Sequence, residues 1–141
     1  MLRVFADTSV LFAAVYSATG YARELVLLAA DGQLQIILSE DVIQEIERNL
    51  ARKASAALPA WSVLLDVISP EIVPSPDIDM VRATARYTEP KDAPIIAAAL
   101  VAGCDYVVTF DQKHLLLRPE VAEESGLRIV TPEVVVRLVR G

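Results

Sequence analysis

The apolar positions of the chain fall into two patterns. Five short runs are rich in β-branched and large aliphatic residues: RVFA (3–6), LQIIL (34–38), EIV (71–73), YVVTF (106–110) and LRIVT (127–131). Four of them are continuous apolar runs rather than alternating ones, the pattern of strands buried on both faces of a parallel sheet. EIV is bracketed by Pro70 and Pro74, which suits an edge strand. Between these runs, apolar residues recur at helical spacing. YARELVLLAA ends at Asp31-Gly32, a C-terminal stop. SEDVIQEIERNLARK opens with Ser39 as N-cap and two acids in the first turn, where the helix dipole favours them. AWSVLLDVI gathers Trp61, Leu64, Leu65 and Ile68 on one face, read as core. DIDMVRATARYT, DAPIIAAALVAG and PEVVVRLV follow, the last with Thr131 as cap and Pro132 at the first helical position. Strands alternating with helices predict a three-layer α/β/α domain around a parallel sheet of about five strands. With no repeat or linker in the sequence, the expectation is one domain over residues 1–141.

Composition narrows the class. A hydrophobic content of 54% is too high for a disordered chain. The lone Cys104 has no partner for an internal disulfide, which suits a reducing compartment. No apolar run is long enough to span a bilayer, and Asp7 interrupts the N-terminal apolar stretch, unlike a secretion signal. The expectation is a soluble, cytoplasmic protein without a membrane partner. A net charge of −6 excludes a generic DNA-coating protein, which needs a basic footprint. It does not exclude an enzyme acting on nucleic acid, because bound divalent cations offset clustered acids.

The candidate chemistry lies in those acids. Asp7 follows the first strand and Asp111 the fourth, at the carboxyl ends where ligands bind in open α/β sheets. If the strand order reverses between them, the two carboxylates face each other. Asp92 opens the helix leading to the fourth strand, with Pro94 in its first turn. Glu45, or Glu47 by periodicity alone, lies in the second turn of the helix after the second strand. Each acid taken singly has an ordinary explanation as a helix cap, a turn cap or a solvated helix residue. Four unrelated caps have no reason to converge on one crevice, and a carboxylate abutting a buried strand needs a partner. Asp105 precedes the fourth strand, at the opposite end of the sheet, and reads as structural. Converging carboxylates without Cys or a second His suit Mg²⁺ or Mn²⁺. Such ions clamp a phosphodiester and activate water for in-line attack, so Asp7 is expected to be satisfied by a metal.

The stretches FADTSVLFAA, LSEDVIQEI, KDAPIIAAALVAGCDYVVTFD and LRIVTPEVVV together resemble the PIN-domain family, known as ribonucleases and as toxin subunits of type II toxin–antitoxin modules. The resemblance runs from Leu2 to Val139, and its most specific block carries Asp92, Thr109 and Asp111 in family order. It implies the sheet order 3-2-1-4-5, selects Glu45 over Glu47, and gives Asp7, Glu45, Asp92 and Asp111 as catalytic metal ligands. Ser9 stands where Asn is common, and Ser9 and Thr109 are candidates for orienting the ligands.

Arg48 and Arg52 follow Glu45 on the same helix and Lys113 follows Asp111, making them candidates for substrate phosphates. A solvated helix face explains the arginines about equally well. The expected function is a Mg²⁺- or Mn²⁺-dependent endoribonuclease acting on RNA, with a cognate antitoxin and a homodimer as possible partners. Two rivals remain: a non-catalytic metal- or nucleic-acid-binding module, and a metal-dependent phosphatase or phospho-acceptor domain. The Asp-x-Asp of haloacid phosphatases is absent, since Thr8-Ser9 follows Asp7.

Overall fold

The computed structural model describes residues 1–141. Five strands, β1 (Arg3–Ala6), β2 (Gln35–Ser39), β3 (Glu71–Val73), β4 (Tyr106–Val108) and β5 (Arg128–Val130), form one parallel sheet in the order 3-2-1-4-5. The eight α-helices are α1 (Thr8–Tyr16), α2 (Tyr21–Ala30), α3 (Glu40–Lys53), α4 (Leu58–Ile68), α5 (Ile78–Thr84), α6 (Ala93–Val101), α7 (Pro119–Ser125) and α8 (Pro132–Arg140). α2 packs on α1, α4 and α8, whereas α5 packs on α6. Right-handed crossovers account for this division into two helical layers, because the chain winds one way from β1 to β3 and the other way from β4 to β5.

The buried strands are the central ones, β1, β2 and β4. Val4, Phe5 and Ala6 of β1, Ile36, Ile37 and Leu38 of β2, and Val107 and Val108 of β4 are all at most 1% exposed. They join the inner faces of the helices, including Leu25, Ile46, Trp61 and Ile96, in one core. Trp61 is therefore core, and its indole N–H donates to Glu47 at 3.1 Å. EIV is an edge strand as its flanking prolines suggest. β5 corrects the expectation of burial on both faces: it forms the other edge, with Arg128 exposed and Ile129 and Val130 half-buried.

Ser39 caps α3 as its sequence position suggests, whereas Thr131 precedes α8 without a side-chain cap bond. Ser39 Oγ accepts from Val42 N at 3.2 Å at the start of α3. Gly103 adopts φ +65 after α6, a left-handed turn that returns the chain to β4. α7 carried no clear signal in the sequence, whereas the single π-helical turn at Gln112–Leu116 begins where Asp111 offers a cap. At the amino end of the sheet, Asp105 Oδ2 accepts from Arg3 N at 2.8 Å, a structural role. No helix is long and apolar enough to cross a membrane.

Candidate metal centre

Because β1 lies between β2 and β4, its carboxyl end is the point where the winding reverses. The register pairs Ala6 with Val108, so the next residues, Asp7 and Thr109, are neighbours. Thr109 Oγ1 donates to Asp7 Oδ2 at 2.8 Å, and Ser9 Oγ donates to the same oxygen at 3.1 Å. Each hydroxyl also accepts an amide from the loop after β4: Phe110 N reaches Ser9 Oγ at 3.1 Å and Asp111 N reaches Thr109 Oγ1 at 3.0 Å. Two hydroxyl straps thus tie the start of α1 to the segment that carries Asp111. Asp7 Oδ1 accepts from Thr8 N at 2.7 Å and caps α1. Three hydrogen bonds within the chain thus orient Asp7, whose carboxylate still lines the acid cavity.

Asp111 caps the π-helical turn by accepting from His114 N at 3.0 Å. Asp92 differs from both. It stands before α6 but makes no side-chain cap, is only 6% exposed, and its Oδ2 is buried with no hydrogen-bond partner. Glu45 is exposed on the second turn of α3. Asp7, Glu45, Asp92 and Asp111 all line one cavity of about 480 Å³ at the carboxyl ends of the strands.

The electrostatics of the cavity match a site that lacks compensating charge. Burial pushes the Asp7 carboxyl above the usual carboxylate range despite its hydrogen bonds from Thr109, Thr8 and Ser9, and the Asp111 charge adds to the rise. Burial also pushes Asp92 up to about 6; Lys91 opposes that shift, while Asp111 and Asp7 reinforce it. A cation among these oxygens reverses the repulsion and gives Asp92 Oδ2 a partner. The donor set is oxygen only, which fits Mg²⁺ or Mn²⁺. No three acidic, His or Cys side chains form a ready-made cage, so the fit rests on the donors and the orphaned oxygen.

The basic residues are placed differently from expectation. Arg48, Arg52 and Lys113 do not line the cavity; Asn49, Lys53 and Lys91 do. The reason is helical drift. At about 100° per residue, positions four and eight beyond Glu45 turn toward the buried stripe of Val42, Ile46 and Leu50, while positions three and seven turn away from it. Arg48 and Arg52 accordingly face solvent, Arg52 beside Asn49. Lys91 gave no periodic signal, although its place directly before Asp92 marks it as a neighbour of any ligand there. Thr8 was also overlooked: it lines the cavity, and its Oγ1 is buried without a partner.

The fold is similar to the crystal structure of PAE2754 from Pyrobaculum aerophilum, with a TM-score of 0.66 over 99% of this chain and 91% of that one at 20% identity. No curated protein matches the chain. A sequence profile of the PIN domain matches residues 3–113, most of the chain and all four acids of the cavity. The chain belongs to the PIN-domain family, whose members are generally metal-dependent nucleases.

Proposed function

We propose that the chain is a Mg²⁺- or Mn²⁺-dependent endoribonuclease and the toxin of a toxin–antitoxin pair. The observation that carries the catalytic reading is the convergence of Asp7, Glu45, Asp92 and Asp111 on one cavity, with an Asp92 oxygen buried and unpartnered. When bound, a divalent ion supplies Lewis acidity to the phosphodiester and lowers the pKa of water. The chain's own residues supply position and charge. Asp7 and Asp111 are held at a fixed separation by the Ser9 and Thr109 straps. Asp92 offers an oxygen with no competing donor, and the exposed Glu45 closes the cavity from α3. Lys53 and Lys91 neutralise the phosphates on either side. The toxin role is supported by the family resemblance and by an apolar groove between α2 and α4. There Leu27 and Val63 are 52% and 63% exposed, a surface suited to an antitoxin segment or a second copy.

Purified protein should cleave single-stranded RNA with Mn²⁺ or Mg²⁺ and stop when EDTA is added. Cleavage that persists in EDTA counts against the metal site. The cavity also predicts which cations meet RNA. In Ca²⁺, to hold back cleavage, Lys53→Ala with Lys91→Ala should flatten the salt dependence of RNA binding by roughly 1.4 log–log units, about 0.7 per lost phosphate contact. Arg48→Ala with Arg52→Ala should leave that slope near wild type. The reverse outcome puts the RNA path along the solvent face of α3.

A further inference from the structure

A second, larger cleft of about 720 Å³ adjoins the acid cavity. One wall is the segment between α5 and α6, from Arg86 through Tyr87, Thr88 and Glu89 to Pro90, whose neighbour Lys91 lines the acid cavity. The other wall carries Arg118 and Glu120 at the start of α7. Three features mark it as a built site. Thr88 is only 5% exposed, yet its hydroxyl has no hydrogen-bond partner. Arg118 Nη1 lies 3.8 Å from Glu89 Oε1, and its Nε donates to Glu120, so a guanidinium and a carboxylate stand side by side in the cleft. Tyr87, half-buried, offers an aromatic surface beside them.

The charge pattern selects the ligand. A phosphate site wants cations alone, whereas Glu89 and Glu120 here repel a phosphodiester. A carboxylate next to a guanidinium matches the edge of a base that presents donors beside an acceptor. Guanine alone presents two adjacent donors, N1–H and the N2 amino group, next to the O6 acceptor, with N7 beyond it. A guanine seated there would let Arg118 meet O6 and N7 in the bidentate geometry typical of arginine, with Glu89 accepting from N1–H and N2. Unpaired RNA bases are recognised in this manner, splayed out, stacked on an aromatic ring and read on their edges. Thr88 Oγ1 gains a partner from the polar rim of the nucleotide.

We infer that this cleft holds an unpaired guanine of the RNA close to the scissile phosphate, and so sets sequence preference. This rests on the reading of the chain as a ribonuclease, and the test separates the two. Full-length protein in Ca²⁺ is titrated with short labelled single-stranded RNAs that differ at one position: guanine, inosine (which lacks the N2 amino group) or adenine. Guanine RNA should bind about tenfold tighter than adenine RNA, with inosine RNA between them, and in Glu89→Ala the three should converge. Equal binding of the three by wild type overturns the inference, as does a guanine preference that survives in folded Glu89→Ala. If Glu89→Ala fails to fold, the wild-type comparison of guanine with inosine still decides. A guanine preference without any cleavage in Mn²⁺ overturns the ribonuclease reading and leaves the base site standing.

Discussion

Asp92→Asn should lower metal-dependent RNA cleavage by more than about a hundredfold, because loss of groups that merely orient a metal ligand already costs 10–100-fold. The substitution removes the charge while keeping nearly the same shape, so the fold should survive. Asn also leaves an amide where the unpartnered Oδ2 now stands, a donor facing the place a cation is expected. Asp7→Asn should have a comparable effect with an added cost to the fold, since its amide must replace an oxygen that accepts from both Ser9 and Thr109. Thr109→Val should fall in the 10–100-fold range by loosening Asp7 and freeing the Asp111 amide. Asp105→Asn, at the other end of the sheet, should retain cleavage. The measurement is the initial rate on one single-stranded RNA for all four variants. Parallel losses, Asp105→Asn included, count against the site.

Millimolar Mn²⁺ should raise the melting temperature of the wild-type chain by about 10 °C when the ion is at a hundredfold excess over Kd, where binding to the native state alone adds roughly 2.7 kcal/mol. The pH dependence without ion runs opposite to that of an ordinary paired carboxylate. Asp92 titrates near 6 in the folded chain, above its unfolded value, so between about pH 4 and 6 the fold holds a proton that the unfolded chain has released. Its contribution therefore disfavours the folded state increasingly as pH rises through that window, and fully above it. Burial of Asp7 acts in the same direction. Without Mn²⁺, the difference in melting temperature between Asp92→Asn and wild type should widen in favour of the variant as pH rises from 5 to 7.5. With Mn²⁺, the advantage should pass to wild type. Differential scanning fluorimetry across pH, with and without the ion, reads both trends, and a Mn²⁺ shift of equal size in Asp92→Asn counts against that residue as a ligand.

What the sequence revealed was what depends on topology. Continuous apolar strands alternating with helices imply a parallel sheet, and a carboxylate after the first strand and another after the fourth fall at its reversal point. Helix starts marked by Ser39 and Pro132 were legible because caps act within one turn. Position around a helix was harder to read. Arg48 and Arg52 share a side with Glu45 only loosely, and the roughly 100–140° of helix rotation that separate them from Lys53 decide which cation enters the cavity. Burial of β5 was overestimated because an apolar edge strand reads like a central one. Partners made by tertiary contact left no local trace: the Thr109 hydrogen bond to Asp7 and the Phe110 amide bond to Ser9 join residues brought together only by strand pairing.

The placement of β1 in the middle of the sheet has a temporal consequence. Thr109 Oγ1 and Asp7 Oδ2 are 102 residues apart in sequence, so the first acid leaves the ribosome long before its neighbours. At about 5–20 residues per second, that interval lasts roughly 5–20 s. During it β1 can pair with β2 on one side only, and its other edge awaits β4. A nascent chain that stops before Tyr106 has half of a crevice and neither hydroxyl strap. The acid crevice is then completed in a single late step of synthesis, when residues 106–111 slide in beside β1, rather than growing with chain length.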